Sequence, residues 1–328
     1  MSIINSHNSW SKLEEVWLGD VYPARWYDHL PQETQDVFYK LTEITKEDLQ
    51  TIQNTIESFG VRVRRPTYKN INSYIELDGQ LRKPQICPRD QFIVLGNSLI
   101  AHNGHTMAWQ QVLDEYDQDK TCKVLLTNNE QLNGANIVRL NERLIIDSPR
   151  PKKNQVAKAD KVINDCIKNY KVDFVYNGGH LDACFAILKP GLILASKYFP
   201  DYDKFFPGWQ KIILEEPEFA MHIKQQATTG NNKWWLPSFE HNQSFNDHII
   251  QHAHDWVGNY TETYFELNCL VIDESNIIML GENLALEKTL KKHAINITWA
   301  PFRTRSFWDG GLHCLTVDIR RNSKKLTQ

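Results

Sequence analysis

A cysteine near the end of the chain, Cys314, follows Gly310-Gly311-Leu312-His313 and precedes the alternating run Leu315-Thr316-Val317-Asp318-Ile319. A glycine pair before an apolar alternating run puts the thiol where a loop enters a strand, so its sulfur can face a cavity without disturbing packed structure. Three other polar segments stand just before apolar runs: Cys87-Pro88-Arg89-Asp90, Leu132-Asn133-Gly134-Ala135-Asn136 and Asn177-Gly178-Gly179-His180-Leu181-Asp182. Matched positions thus supply a thiol, an imidazole and carboxylates, a set suited to thiol attack on a cationic carbon. A guanidinium is planar, delocalised and a poor electrophile. Chemistry at its carbon needs carboxylates to hold the N–H groups, a thiolate to attack and a proton donor. Asp90 and Asp182 are candidate clamps, His180 the candidate proton carrier and Cys314 the candidate nucleophile, which would leave a covalent thiouronium.

Taken singly, each residue has a plainer explanation. Free cysteines are mostly buried and inert, a His-x-Asp pair commonly caps a turn, and Asn133 beside Gly134 suits a simple turn. Their recurrence at matched places in front of strands favours the catalytic reading.

The elements that must position these residues repeat one shape: an apolar run, a tight turn, a second apolar run, then a helix. Phe92 to Leu95 and Ser98 to Ala101 flank Gly96-Asn97, a strong hairpin signal. The shape returns around Asn141-Glu142, Lys189-Pro190-Gly191 and Glu274-Ser275. Leu13 to Leu18 reads as a strand, Thr45 to Phe59 as an amphipathic helix opened by Thr45, and Leu284 to His293 as another helix. Four hairpins and terminal strands imply a module used about five times within one domain spanning 1–328. Residues 200–262 break the rhythm. They are rich in aromatics, Asn and His, which predicts an insertion serving as a lid, with Trp234 and Trp235 as its candidate wall.

With 328 residues, 41% apolar and 23% charged, the composition is that of a globular protein, and a net charge of −3 leaves no electrostatic footprint for nucleic acid. No apolar stretch is long enough to span a membrane, and the first residues lack the pattern of a secretory leader, so a cytoplasmic protein is expected. The six cysteines are scattered with no Cys-x-x-Cys pair, which argues for reduced thiols and against a zinc site.

Several segments, in order along the chain, resemble the amidinotransferases: the glycine amidinotransferase and inosamine-phosphate amidinotransferase group of the guanidine-modifying pentein superfamily. They are His7 to Val16, Cys87-Pro88-Arg89-Asp90, Met107-Ala108-Trp109, Asn133-Gly134-Ala135-Asn136, His180-Leu181-Asp182-Ala183 with Pro190 to Leu194, Leu267 to Glu274, and Gly310 to Arg321. The resemblance covers nearly the whole chain except 200–262. It implies an α/β fold, a five-bladed α/β-propeller with pseudo-fivefold symmetry and a site on its axis. It also implies Cys314 as nucleophile, His180 as general acid/base, and Asp90 and Asp182 as guanidinium ligands. Arg89 and His313 join the substrate-binding candidates. No metal or organic cofactor is implied, and the partners would be a guanidine donor such as arginine, an acceptor amine and, as in many family members, a second copy of the chain.

The chain departs from the family at the site. Asn133 stands where the family has an acidic residue that orients and charges the histidine, and an amide cannot stabilise an imidazolium electrostatically. Phe199, with Lys197 nearby, stands where an arginine usually meets the donor carboxylate, and Glu262 where a small hydroxyl residue is usual. Losing a cation and gaining an anion disfavours a free amino-acid carboxylate there. The leading expectation is therefore an amidinotransferase of specialised metabolism whose donor or acceptor differs from arginine and glycine. The alternatives are a hydrolase of the same superfamily, a deiminase or dihydrolase, and a binding homologue that lost turnover through Asn133.

Overall fold

The computed structural model describes residues 2–76, 79–128, 132–147, 161–176, 180–197, 199, 201–214, 239, 242–257 and 265–323. Within them the strands form five three-stranded sheets built to one plan, in which two antiparallel strands are followed by a third running parallel to its neighbour. In the sheet that joins the chain ends, β1 (Leu13–Leu18) lies between the last strand, Thr316–Arg321, and β2 (Arg62–Arg64), with α1 (Gln32–Ser58) as the crossover to β2. The second sheet has β3 (Phe92–Leu95), β4 (Ser98–His102), α2 (Gln110–Asp117) and β5 (Lys123–Thr127). The third has β6 (Ile137–Leu140), β7 (Arg143–Asp147), α3 (Lys161–Ile167) and β8 (Lys171–Val175). The fourth has β9 (Phe185–Lys189), β10 (Leu192–Ala195) and β11 (Gln210–Ile213). After α4 (Gln243–His252) comes the fifth, with β12 (Leu270–Asp273), β13 (Asn276–Leu280), α5 (Leu284–Lys291) and β14 (Asn296–Ala300). The C-terminal strand is β15 (Thr316–Arg321). Five sheets of one plan make the five-bladed α/β-propeller expected from the sequence.

Burial explains the order within each sheet. The hairpin strands β3, β4 and β10 are buried throughout, whereas third strands such as β5 and β8 are largely part-exposed. A continuous apolar run such as Phe92-Ile93-Val94-Leu95 suits a strand covered on both faces. The part-exposed third strands stand at the edges of their sheets.

Two expectations change. The helix read from Thr45 begins at Gln32, directly after Pro31, and Thr45 lies within it. Its hydroxyl bonds back to the carbonyl of Leu41 at 2.7 Å, the local bond that lets a threonine sit inside a helix. That hydroxyl also meets Thr304 Oγ1 at 2.9 Å and accepts the indole N–H of Trp308 at 3.0 Å, so α1 braces the turn leading to Cys314. The stretch 200–262 is not wholly an insertion either. Its short run Gln210–Ile213 is the third strand of the fourth sheet, paired in register with β10.

Later in that stretch, α4 packs on α1. Ser244 Oγ meets Thr34 Oγ1 at 2.7 Å, and the rings of Phe245 and Phe38 lie 5.3 Å apart. Trp256 is buried and stacks on Trp308 at 6.3 Å. Trp234 and Trp235 lie outside the described residues. All six cysteines are free thiols. Among the described residues no helix is long and apolar enough to cross a membrane.

Candidate functional site

Short 3₁₀ turns lead into the first strands of three sheets: Pro88–Asp90 into β3, Gly134–Asn136 into β6 and Leu181–Ala183 into β9. These turns carry or adjoin Asp90, Asn133, His180 and Asp182, and Cys314 sits in the equivalent turn before β15. Pseudo-symmetry therefore turns a recurrent sequence position into one place in space. The turns also meet closely. A Cβ on Gly134 would lie 2.5 Å from the carbonyl oxygen of Phe92 and 2.9 Å from that of Arg89, so only glycine lets the third module approach the second.

Cys314 is 4% exposed, and its thiol donates toward Asp182 Oδ2 at 3.4 Å. The same Asp182 oxygen accepts from His313 Nδ1 at 2.7 Å, while its Oδ1 is buried with no hydrogen-bond partner among the described residues. Burial raises the Asp182 pKa, but the hydrogen bond from His313 and the cationic surroundings, Arg89 included, outweigh it and hold the carboxyl below its usual range. His313 is pushed down by burial and by Arg89, against the pull of Asp182. We assign the pair as ionised Asp182 accepting from a neutral imidazole, because burial first and then the charge of Arg89 disfavour a second proton on His313.

Across the site, Asp90 Oδ1 is likewise buried without a hydrogen-bond partner, 3.8 Å from His180 Nδ1. Burial raises the Asp90 pKa, and the charge of Asp182 adds to it, against His180, Lys83 and Arg89. Two carboxylate oxygens thus stand ready for N–H donors, one beside the thiol and one beside the imidazole.

Asn133 caps its turn. Its Oδ1 accepts the backbone N–H groups of Ala135 at 3.0 Å and Asn136 at 3.2 Å. The oxygen being committed, it is Nδ2 that faces His180 Nε2, at 3.3 Å. The amide donates there, so Nε2 is an acceptor and the imidazole proton of the neutral ring belongs on Nδ1, facing Asp90.

Arg89, a substrate-binding candidate from the sequence, turns into the protein. Its Nε donates to the carbonyls of His313 at 2.8 Å and Thr316 at 2.9 Å, and its Nη2 to Asp318 at 2.8 Å. Arg139 and Arg321 converge on the same Asp318. The cluster clamps the cysteine turn from below. Of these guanidiniums it is Arg89 whose charge reaches Asp182, adding to the hydrogen bond from His313 that does most to keep that carboxyl ionised.

Phe199 is 3% exposed, with its ring against Phe185 at 4.9 Å, Tyr202 at 4.8 Å and Phe205 at 5.5 Å. It packs the fourth module. Lys197 is exposed in the turn after β10, and Glu262 lies outside the described residues.

One contact residue was missed in reading the chain. Asn268 is 6% exposed; its Oδ1 accepts the N–H of Cys314 at 2.8 Å and its Nδ2 lies 3.0 Å from the Cys314 sulfur. A signal was present. Asn268 stands two residues before β12, as Asp90 stands before β3 and Cys314 before β15.

Among the described residues no group of His, Cys, Asp and Glu is arranged to hold a metal ion. A groove of about 1060 Å³ is lined by the hairpin turns Gly96-Asn97 and Asn141-Glu142, at the strand ends remote from Asp90 and Asn133.

No family model matches the chain. It is 22% identical over 388 residues to inosamine-phosphate amidinotransferase 1 of Streptomyces griseus, with all of both chains covered. A solved inosamine-phosphate amidinotransferase from the same organism superposes with a TM-score of 0.71 at 19% identity, over 99% of this chain and 98% of that one. An amidinotransferase of the saxitoxin biosynthetic pathway of Microseira wollei gives 0.70 at 19% identity, over 99% of each chain. A dimethylarginine dimethylaminohydrolase of Pseudomonas aeruginosa gives 0.55 at 11% identity, over 93% and 99%.

Proposed function

We propose, from the family-level likeness to the amidinotransferase (pentein) superfamily, that the chain moves an amidino group from a guanidino donor to an acceptor amine through Cys314. The observation that carries this reading is the pair of buried, unpartnered oxygens, Asp90 Oδ1 and Asp182 Oδ1, on either side of the thiol and the imidazole. A guanidinium spanning them would replace two orphaned acceptors by charge-assisted hydrogen bonds and present its central carbon to the sulfur.

In this reading the positive charge of a guanidinium bound at the free oxygens of Asp182 and Asp90 favours the thiolate, and the thiol proton passes to the neutral imidazole of His180, which becomes an imidazolium. The sulfur attacks the guanidinium carbon, forming a C–S bond and a neutral tetrahedral adduct. Collapse breaks the C–N bond to the leaving amine, which takes a proton from the imidazolium of His180 and leaves an amidino-thiouronium on Cys314. An acceptor amine then attacks the same carbon, gives its proton to His180 and expels the thiolate. Water in place of the amine gives hydrolysis.

Phe199 in an aromatic cluster leaves the family's carboxylate-binding cation unreplaced at that position, so the donor or acceptor we propose is not ordinary arginine with glycine. The test is incubation with a panel of guanidines and amines, read by intact-protein and small-molecule mass spectrometry, with Cys314→Ala beside it. An amidino adduct on Cys314 and a new guanidine product support transfer. A urea product such as citrulline identifies the hydrolase. Neither adduct nor product from any guanidine in the panel refutes an active enzyme and leaves a binding protein.

A further inference from the structure

We propose that Asn268 is a catalytic residue of the cysteine centre, donating its side-chain N–H to the Cys314 sulfur and so stabilising the thiolate. This deepens the assignment of Cys314 as nucleophile and rests on it. The orientation of the amide follows from its contacts. Cys314 N–H donates to Oδ1 at 2.8 Å, which fixes the oxygen, so the atom 3.0 Å from Sγ is Nδ2, a donor. The same Nδ2 lies 3.5 Å from the carbonyl oxygen of Asp182, and the carbonyl of Asn268 accepts from His313 N–H at 3.0 Å. Asn268 thereby holds the backbone on both sides of the His313–Cys314 peptide and aims one hydrogen at the sulfur.

The loop is built around this amide. A Cβ on Gly311 would lie 2.4 Å from Asn268 Cβ and 2.8 Å from its Cγ and Oδ1, so the glycine pair before the cysteine serves the asparagine as much as the turn. The neutral thiol has little use for a donor, since its own proton already points to Asp182. A thiolate beside Asp182 meets like-charge repulsion, and a fixed N–H is then the group available to offset it. Asn268 acts on the charged form. Its contribution appears once the sulfur has lost its proton.

The test measures alkylation of Cys314 by iodoacetamide against pH, read by peptide mass spectrometry so that the other five thiols do not interfere. Asn268→Asp keeps an oxygen for the Cys314 N–H but replaces the donor, and its midpoint should rise by about one pH unit or more. Asn268→Ala should shift in the same direction by less. An unchanged midpoint in a variant that keeps the wild-type melting temperature overturns the proposal. Should both variants fail to fold, the Asn268 side-chain amide protons in the wild type decide: a downfield shift that titrates with Cys314 supports the donor, and their indifference to the cysteine's ionisation excludes it. The alkylating probe needs no guanidine. An enzyme without amidino transfer but with this pH shift loses the proposed function and keeps the thiolate contact; an amidino-transferring enzyme without the shift loses only the contact.

Discussion

The side-chain amide of Asn133 donates to Nε2 of His180 across 3.3 Å, because its oxygen is already taken by two backbone N–H groups of its own turn. An N–H aimed at that nitrogen favours the neutral ring and opposes a second proton, whereas a carboxylate in the same place would invite one.

Asn133→Asp is accordingly expected to raise the His180 titration midpoint by about one unit or more relative to the wild type, measured by NMR. If amidino transfer needs His180 protonated, activity falls as the pH rises through that midpoint, so the alkaline limb of kcat should move upward in the variant. A limb that stays in place removes Asn133 from control of the histidine.

Asp90 should control donor binding through pH. Its pKa is raised by burial and then by Asp182, so the ionised form that clamps a guanidinium is lost at a pH above the ordinary carboxylate value. KM for a productive guanidine is expected to climb as the pH drops through that raised value, and Asp90→Asn should show a KM at least tenfold higher with no such dependence. For the free protein the sign is reversed. A carboxyl whose folded pKa is raised destabilises the fold at neutral pH, so Asp90→Asn should melt a few degrees higher at pH 7.

Asp182 behaves oppositely. Its pKa is held below the unfolded value by the His313 hydrogen bond and nearby cations, despite burial, so it strengthens the fold above that value and stops doing so as the pH falls through the lowered one. His313→Ala should weaken this acid-sensitive contribution, seen as a smaller change in melting temperature between pH 5 and pH 2.

Gly311→Ala places a carbon 2.4 Å from Asn268 Cβ, and both atoms are tied to backbone. The expected cost is about 1–3 kcal/mol of stability, with at least a tenfold loss of Cys314 reactivity in a pulse of iodoacetamide. Wild-type reactivity would mean that the loop can shift without disturbing the thiol.

Arg89→Lys should not rescue Arg89→Ala. One planar fork reaches the carbonyls of His313 and Thr316 and the carboxylate of Asp318 together, and an ammonium on a flexible stem cannot match it. Both variants should lose about 3 kcal/mol or more in urea unfolding, since buried acceptors are left unpaired. Phe199→Arg should fail for a related reason: it buries a guanidinium among the rings of Phe185, Tyr202 and Phe205, and melting temperature should fall before any gain in arginine turnover is seen.

The sequence by itself determined what neighbouring residues settle among themselves. Gly96-Asn97 between two apolar runs was enough for the β3–β4 hairpin, and the same pattern marked the other hairpins and the polar turns in front of them. The helix start at Gln32 escaped because Thr45 looks like a cap until its hydroxyl is seen bonding to Leu41. Strand β11 escaped because four residues carry too short a pattern to stand out from an aromatic, polar stretch. The tertiary structure alone decided which group each polar side chain serves. It turned Arg89 inward, committed the oxygen of Asn133 to a cap so that a donor faces His180, and brought Asn268 to Cys314 across 46 residues. A local sequence pattern specifies which face is buried and where the chain turns. The partner of a polar atom depends on which turns the five-module ring gathers at its centre, and that is known only once the ring has closed.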